Sequence, residues 1–297
     1  MSKVDLSVVV PSVNGWSDLH DCLTALDAER GSVTLEVLVP ERCGDDVRRR
    51  VSERFPWVTV MPVSVETTIP QMRALAFDRA SGDSVAVIED HVIVPAGWAV
   101  AMLEARRSAA VGGGGGQNMA VDTLVDWAAY LCEYSHMLPP LPVGESTWIT
   151  GNNTVYARSL LLQHRDATHA GEWEGYLHEE LRRSGTPLIF RPEIMVGHKK
   201  HYSIGEYFSQ RYLYARSYAG ARANNSAPPR RVAYALASLL LFPVLFWRTF
   251  SRSRRKDVDQ MLVWRCLPLT VLFVMAWSAG DIVGSWAGPG TSLQQVC

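Results

Sequence analysis

The chain has 297 residues, a formal net charge of -1 and 47% hydrophobic residues, so a sizeable core is possible and no global basic field points to nucleic acid. Its five cysteines, Cys22, Cys43, Cys132, Cys266 and Cys297, are scattered without metal-ligand spacing, which fits a reducing compartment and gives no disulfide framework. Residues 1–6 contain Lys3 and Asp5 but no apolar stretch, so no secretory leader is expected.

Residues 6–10 form an unbroken, valine-rich apolar run, which predicts a buried parallel strand. Pro11-Ser12-Val13-Asn14-Gly15 is a turn, and Leu19, Leu23 and Leu26 mark one face of a following helix. Further strands are expected over 33–39, 58–60 and 84–88, with a helix over 70–80. This alternation implies an α/β sheet. Ligands on such sheets bind beyond the C-terminal strand ends, here Pro11–Gly15, Glu41 and Glu89-Asp90-His91. The glycines of 112–116 could cradle a phosphate, but they lack the Lys-Ser/Thr ending of a P-loop; a flexible loop or a close backbone contact is expected. Helices are expected over 122–134, 158–164, 174–184 and 205–222, and strands over 188–190 and 194–196.

After Arg231 the composition turns to long apolar runs. Asn224-Asn225-Ser226-Ala227-Pro228-Pro229 reads as a linker, giving expected domains over 1–225 and 226–297. Residues 232–247 are apolar around Pro243; residues 261–282 are a second apolar run, broken by Arg265, Pro268, Gly280 and Asp281. A span needs about 20 apolar residues. Arg230-Arg231 precede the first run, and Arg248, Arg252, Arg254, Arg255 and Lys256 follow it. Basic residues favour the cytoplasm, so 232–247 is expected to re-enter or lie along the interface, and 261–282 to span or return. Tyr207, Tyr212, Tyr214 and Tyr218 with Arg211, Arg216 and Arg222 suit a headgroup layer. The expected location is a cell membrane, with the larger domain cytoplasmic.

Two carboxylates beside an imidazole, Glu89-Asp90-His91, are costly to assemble in a dry interior. They make sense facing a divalent cation that bridges a diphosphate, or as a solvated turn. Glu172 and Glu174 are two further carboxylates, flanking Trp173.

Several segments together resemble family 2 glycosyltransferases, whose domain is the GT-A fold. Leu6-Ser-Val-Val-Val-Pro-Ser-Val-Asn-Gly15 resembles their opening strand and nucleotide loop, and Glu36-Val-Leu-Val-Pro-Glu41 their second strand and its base-contacting acid. Arg73 and Ala80-Ser-Gly-Asp83 resemble the helix and turn before the metal motif, which Val85-Ala-Val-Ile-Glu-Asp-His-Val-Ile-Val-Pro-Ala-Gly-Trp98 resembles. Gly151-Asn-Asn-Thr-Val-Tyr-Ala-Arg158 resembles the acceptor-side segment; Glu172-Trp-Glu174 and Leu181-Arg-Arg-Ser-Gly185 resemble the region of the catalytic acid. Counted back from Gly185, Glu174 falls at that acid, which implies it as the base that takes the acceptor hydroxyl's proton, with Glu172 its rival and Trp173 beside it to stack on a sugar and desolvate the carboxylate. The likeness covers roughly 5–222. It departs where Glu89-Asp90-His91 replaces Asp-x-Asp, Glu41 replaces Asp and Arg73-Ala74 replaces Arg-Asn; the Glu-Asp-His form and the C-terminal Ala276–Gly284 pattern resemble a bacterial membrane subgroup.

The resemblance implies an inverting glycosyltransferase acting on a nucleotide-sugar with Mg²⁺ or Mn²⁺, and a glycan or lipid-linked acceptor at the membrane. It implies donor binding by Pro11, Val13, Asn14, Glu41, Arg73, Glu89 and Asp90. Metal binding falls to Asp90, His91 and His198, although His198 also reads as a structural histidine. Acceptor or diphosphate contacts fall to Asn152, Trp173, Gln210 and Arg211, the last two through a likeness to Gln-x-x-Arg-Trp with altered spacing. Other readings are a non-catalytic, glycosyltransferase-like membrane subunit, or a nucleotidyltransferase, whose basic glycine-rich loop is missing from Pro11–Gly15.

Overall fold

The computed structural model describes residues 3–120, 122–224 and 226–296; Met1, Cys297 and the linker residue Asn225 lie outside them. The chain divides into two compact units, Met1–Gln117 with Leu141–Lys199, and Asn118–Pro140 with Lys200–Cys297. These dividing points differ from 225/226, and helix Ile204–Asn224 falls in the second unit.

Among the described residues, nine strands form one sheet: β1 Leu6–Val9, β2 Leu35–Glu41, β3 Thr59–Pro62, β4 Ser84–Ile88, β5 Val92–Ile93, β6 Val111–Asn118, β7 Gly144–Ser146, β8 Asn153–Ala157 and β9 Leu188–His198. Their order is β3-β2-β1-β4-β8-β6-β9-β5, with β7 also on β9. β1 pairs in parallel with β2 and β4, and β2 with β3, whereas β8 is antiparallel to β4. Leu6, Val8 and Val10 pack with Leu19, Leu23 and Leu26 on one face; Val9 packs with Phe77, Val87 and Tyr156 on the other. Burial on both faces explains the unbroken apolar run.

The glycine tract is a strand, not a flexible loop; the close-contact alternative is the one realised. A Cβ on Gly114 would lie 1.9 Å from the Ile194 carbonyl oxygen, and one on Gly113 2.9 Å from Thr154 Oγ1. Only bare backbone fits between these neighbours. The strands expected over 188–190 and 194–196 are one strand, β9. Pro192 has no N–H to donate, but it lies between the residues paired with β7 and those paired with β5.

The second unit is helical: Leu124–Tyr134, Ile204–Asn224, Pro228–Ser238, Leu241–Ser253, Gln260–Arg265 and Leu267–Ala287. Pro268 sits in the first turn of the last helix, where a missing N–H costs nothing, so the 261–282 run is split at Cys266. Cβ atoms on Gly280 and Gly284 would lie 2.2 Å and 2.4 Å from the Tyr212 and Arg216 carbonyl oxygens, so two helices meet backbone to backbone. Several groups expected in a headgroup layer are used internally. The Tyr207 hydroxyl donates to Ala129 O at 2.9 Å, Arg211 lies 4.1 Å over the Trp277 ring, and Arg222 pairs with Asp281 at 2.9 Å. Leu267–Ala287 is long and apolar enough to cross a membrane; Pro229–Ser238 and Leu241–Ser253 meet that test only jointly, bent by 50°.

Candidate active site

Three strand registers assemble the site in the first unit. Ile88 pairs with Asn153, which brings Asn152 beside Glu89; its side-chain amide donates to Glu89 Oε2 at 2.9 Å. Val92 pairs with His198, and Lys199 N donates to His91 O at 2.9 Å, so β9 delivers His198 to His91. The parallel β1–β4 pairing ends both strands side by side, placing the Pro11–Gly15 turn over Asp90.

Asp90 is buried and fully engaged. Its Oδ2 accepts from Val13 N at 2.8 Å and Asn14 N at 2.9 Å; its Oδ1 accepts from Asn14 Nδ2 at 2.6 Å and faces His91 Nδ1 at 3.1 Å. In the neutral imidazole the Asp90 carboxylate keeps the proton on His91 Nδ1, an assignment drawn from the network, so loss of the second proton frees the Nε2 lone pair toward the interior. His91 Nε2 lies 3.1 Å from His198 Nε2 and 3.4 Å from Glu89 Oε2. Among the described residues, Glu89, His91 and His198 form a group of possible metal ligands, their ligand atoms within 4.8 Å of one another. Asp90, also expected as a ligand, lies outside that group and faces His91 Nδ1 through Oδ1.

Burial opposes a charged His91, but Asp90 and Glu89 outweigh it and lift the imidazole to about 9. Burial also opposes a charged Glu89, yet His91, His198 and Arg73 hold its carboxyl well below the ordinary range. Two imidazole nitrogens turned toward each other and a carboxylate suit a divalent transition metal, so this donor set fits the cation that the resemblance implies.

Glu41 is buried at the end of β2 and also engaged. Its Oε1 accepts from Cys43 N and, at 3.0 Å, from Gly44 N; its Oε2 accepts from Arg48 Nε at 2.5 Å. Both of its oxygens are thus taken up by its own loop and by Arg48. Pro11 is buried beside it, while Val13 and Asn14 are partly exposed.

Glu174 opens helix Glu174–Arg183 and accepts from Arg73 Nη1 at 2.7 Å. Arg73 is placed by a capping box: Thr68 Oγ1 accepts from Gln71 N at 3.4 Å, and Gln71 Oε1 from Thr68 N at 2.9 Å. A Cβ on Gly151 would lie 2.3 Å from the Glu174 carboxyl carbon, so this glycine makes room for the carboxylate. Glu174, Arg73, Glu172 and Gly151 line a small pocket with an apolar wall that includes Phe77 and Leu177. Burial raises the Glu172 carboxyl. Trp173, expected to stack on a sugar, is buried. Gln210 and Arg211 belong to the second unit, where Arg211 stands 4.0 Å from Glu133.

The Tyr156–His178 pair was not anticipated. The Tyr156 hydroxyl lies 2.7 Å from His178 Nε2, and burial pulls that imidazole down to about 4. The signal existed: His178 is four residues beyond Glu174, on the same helix face.

By sequence, the chain matches no family model and no curated protein. In structure it is similar to a mannosyltransferase of Pyrobaculum calidifontis in complex with GDP-Man and Mn²⁺, with TM-score 0.56 and 15% identity, over 95% of this chain and 88% of that one. It is similar to S. aureus TarS 1-349 in complex with UDP-GlcNAc, with TM-score 0.52 and 12% identity, over 96% and 92%. A third match is GalNAc-T7 with UDP, GalNAc and Mn²⁺, with TM-score 0.51 and 14% identity, over 67% and 44%. The fold is similar to that of these glycosyltransferase structures. The mixed sheet with parallel central strands agrees with the GT-A expectation.

Proposed function

We propose that the chain is an inverting glycosyltransferase that moves a sugar from a nucleotide-sugar to a lipid-linked or envelope glycan at the cytoplasmic face of a membrane. The observation that carries this reading is the convergence of Glu89, His91 and His198 at the strand ends of a glycosyltransferase fold. These three residues would hold the cation, and their two imidazoles favour Mn²⁺ over Mg²⁺. Such a cation stabilises negative charge on a departing diphosphate. The Val13–Asn14 turn, fixed by Asp90, and the Glu41-braced loop shape the nucleoside site.

Glu174 is the base. Its carboxylate takes the acceptor hydroxyl's proton as the new C–O bond forms at the anomeric carbon and the bond to the diphosphate breaks. Arg73 orients it, and Asn152 holds Glu89. The apolar helix Leu267–Ala287 supports membrane attachment; Arg211 is assigned to the diphosphate or acceptor by the sequence resemblance alone.

The test is a thermal-shift screen of nucleotide-sugars with and without Mn²⁺, followed by transfer assays with membrane-derived acceptors. A donor should raise the melting point only with Mn²⁺ and support turnover. Metal-dependent donor binding without hydrolysis or transfer would favour the non-catalytic subunit instead.

A further inference from the structure

We infer that the elbow between helices Pro228–Ser238 and Leu241–Ser253 docks on an anionic phospholipid leaflet, with Arg248, Arg252 and Arg255 engaging lipid phosphates. This rests on the membrane reading above and deepens it by naming the lipid class.

One side of the second helix is used internally. Phe242, Phe246 and Phe250 stack at four-residue spacing with centroids 6.1 Å apart, and Phe250 meets Trp264 at 5.1 Å. The other side is not covered: Leu236, Leu239, Leu240, Val244 and Trp247 are exposed, Leu240 by 69% and Trp247 by 67%. A contiguous apolar surface of this kind marks contact with another apolar phase.

Charge decides which phase. From Pro228 to Lys256 the sequence holds seven basic residues and no acidic one. Arg254 is occupied over the Trp264 ring at 5.5 Å, and Lys256 Nζ donates to Pro140 O at 2.7 Å. Among the described residues, Arg248, Arg252 and Arg255 have no carboxylate within 4.0 Å, although Asp257 and Asp259 follow closely in sequence. Arg248 and Arg252 continue the line of Val244 at four-residue spacing, so apolar surface passes directly into basic surface. Trp247, an apolar ring with one polar N–H, stands at that junction, as residues at a bilayer boundary do. Adjacent unpaired guanidinium groups repel each other in water, and a plane of phosphates relieves this. A protein partner would supply carboxylates at a few fixed points. A leaflet supplies anions in a plane beneath an apolar layer, and this surface has that same succession.

The test uses the full chain reconstituted into phosphatidylcholine vesicles with and without an equal part of phosphatidylglycerol. Trypsin cleavage at Arg254 and Lys256 is followed by mass spectrometry and normalised to cleavage at Arg183 in the first unit. At low salt, cleavage should be at least tenfold slower in the anionic vesicles. The difference should vanish in 1 M salt and in the triple variant Arg248→Gln, Arg252→Gln, Arg255→Gln, which keeps both cleavage sites; its melting point, compared with that of the parent, reports folding. Equal cleavage in both lipids, from protein that floats with the vesicles, overturns the inference and leaves the membrane reading intact. Protein that floats with neither overturns both.

Discussion

Two regions at the strand ends hold buried acids, and they are built oppositely. In the loop after β2, every oxygen of Glu41 meets an N–H from Cys43, Gly44 or Arg48. At the ends of β4 and β9, Glu89, His91 and His198 turn their ligand atoms toward one another. The first arrangement is complete without a ligand and acts as a brace. The second brings electron pairs together and is stabilised by a shared proton or a cation. Asp90 divides the two: its oxygens serve the Val13–Asn14 turn on one side and fix His91 on the other. Buried charge alone therefore does not mark a site; the direction in which it is satisfied does.

That contrast can be broken at several points. The largest effect is expected at Glu174→Gln, which keeps the shape but removes the base: transfer should fall by roughly 10²–10⁴-fold, measured well below a melting point that drops as buried Arg73 loses its counter-charge. A loss below tenfold in a transfer assay would remove Glu174 from the proposed mechanism. Next, Glu41→Ala should cost about 3 kcal/mol in denaturant unfolding, because two loop N–H groups and Arg48 lose their acceptor. An unaltered midpoint would show that the brace is not structural.

His178 gives an effect of similar or smaller size through pH. Burial holds its imidazole near 4, against 6.5 for the free side chain. Between those values the unfolded chain binds a proton that the folded chain refuses, so stability falls as pH drops from 6.5 toward 4, by at most about 3 kcal/mol. His178→Gln, which still offers the Tyr156 hydroxyl a partner, should flatten this slope in acid unfolding. The smallest stability change is expected for Gly151→Ala: about 1–2 kcal/mol from overpacking, yet a clear drop in turnover as Glu174 is displaced.

Much of the fold was legible in the sequence because β1, β2 and β4 are buried on both faces and read as continuous apolar runs. Glu89 and His91 stood out where the apolar run of β4 stops, and Glu174 by its place before Gly185 in the segment that resembles family 2 glycosyltransferases. Other features depend on partners far away in sequence. Gly114 looks like loop composition until Ile194 is known to cross it, and Gly151 looks like a turn residue until Glu174 fills the space beside it. The separate roles of Glu89 and Asp90 follow from which one meets the Val13–Asn14 amides, and no spacing rule states that. The arginines of Ile204–Asn224 read as an interfacial face because Trp277 and Asp281, which engage Arg211 and Arg222, lie some sixty residues further on.

The central claim is that Glu89, His91 and His198 form one cation site. Calorimetric titration of Mn²⁺ into the full chain, beside His91→Ala and Glu41→Gln, tests it most directly. One Mn²⁺ per chain is predicted for the parent and for Glu41→Gln, with binding lost in His91→Ala. Undiminished Mn²⁺ binding by His91→Ala, or none by the parent with a nucleoside diphosphate present, would contradict the account.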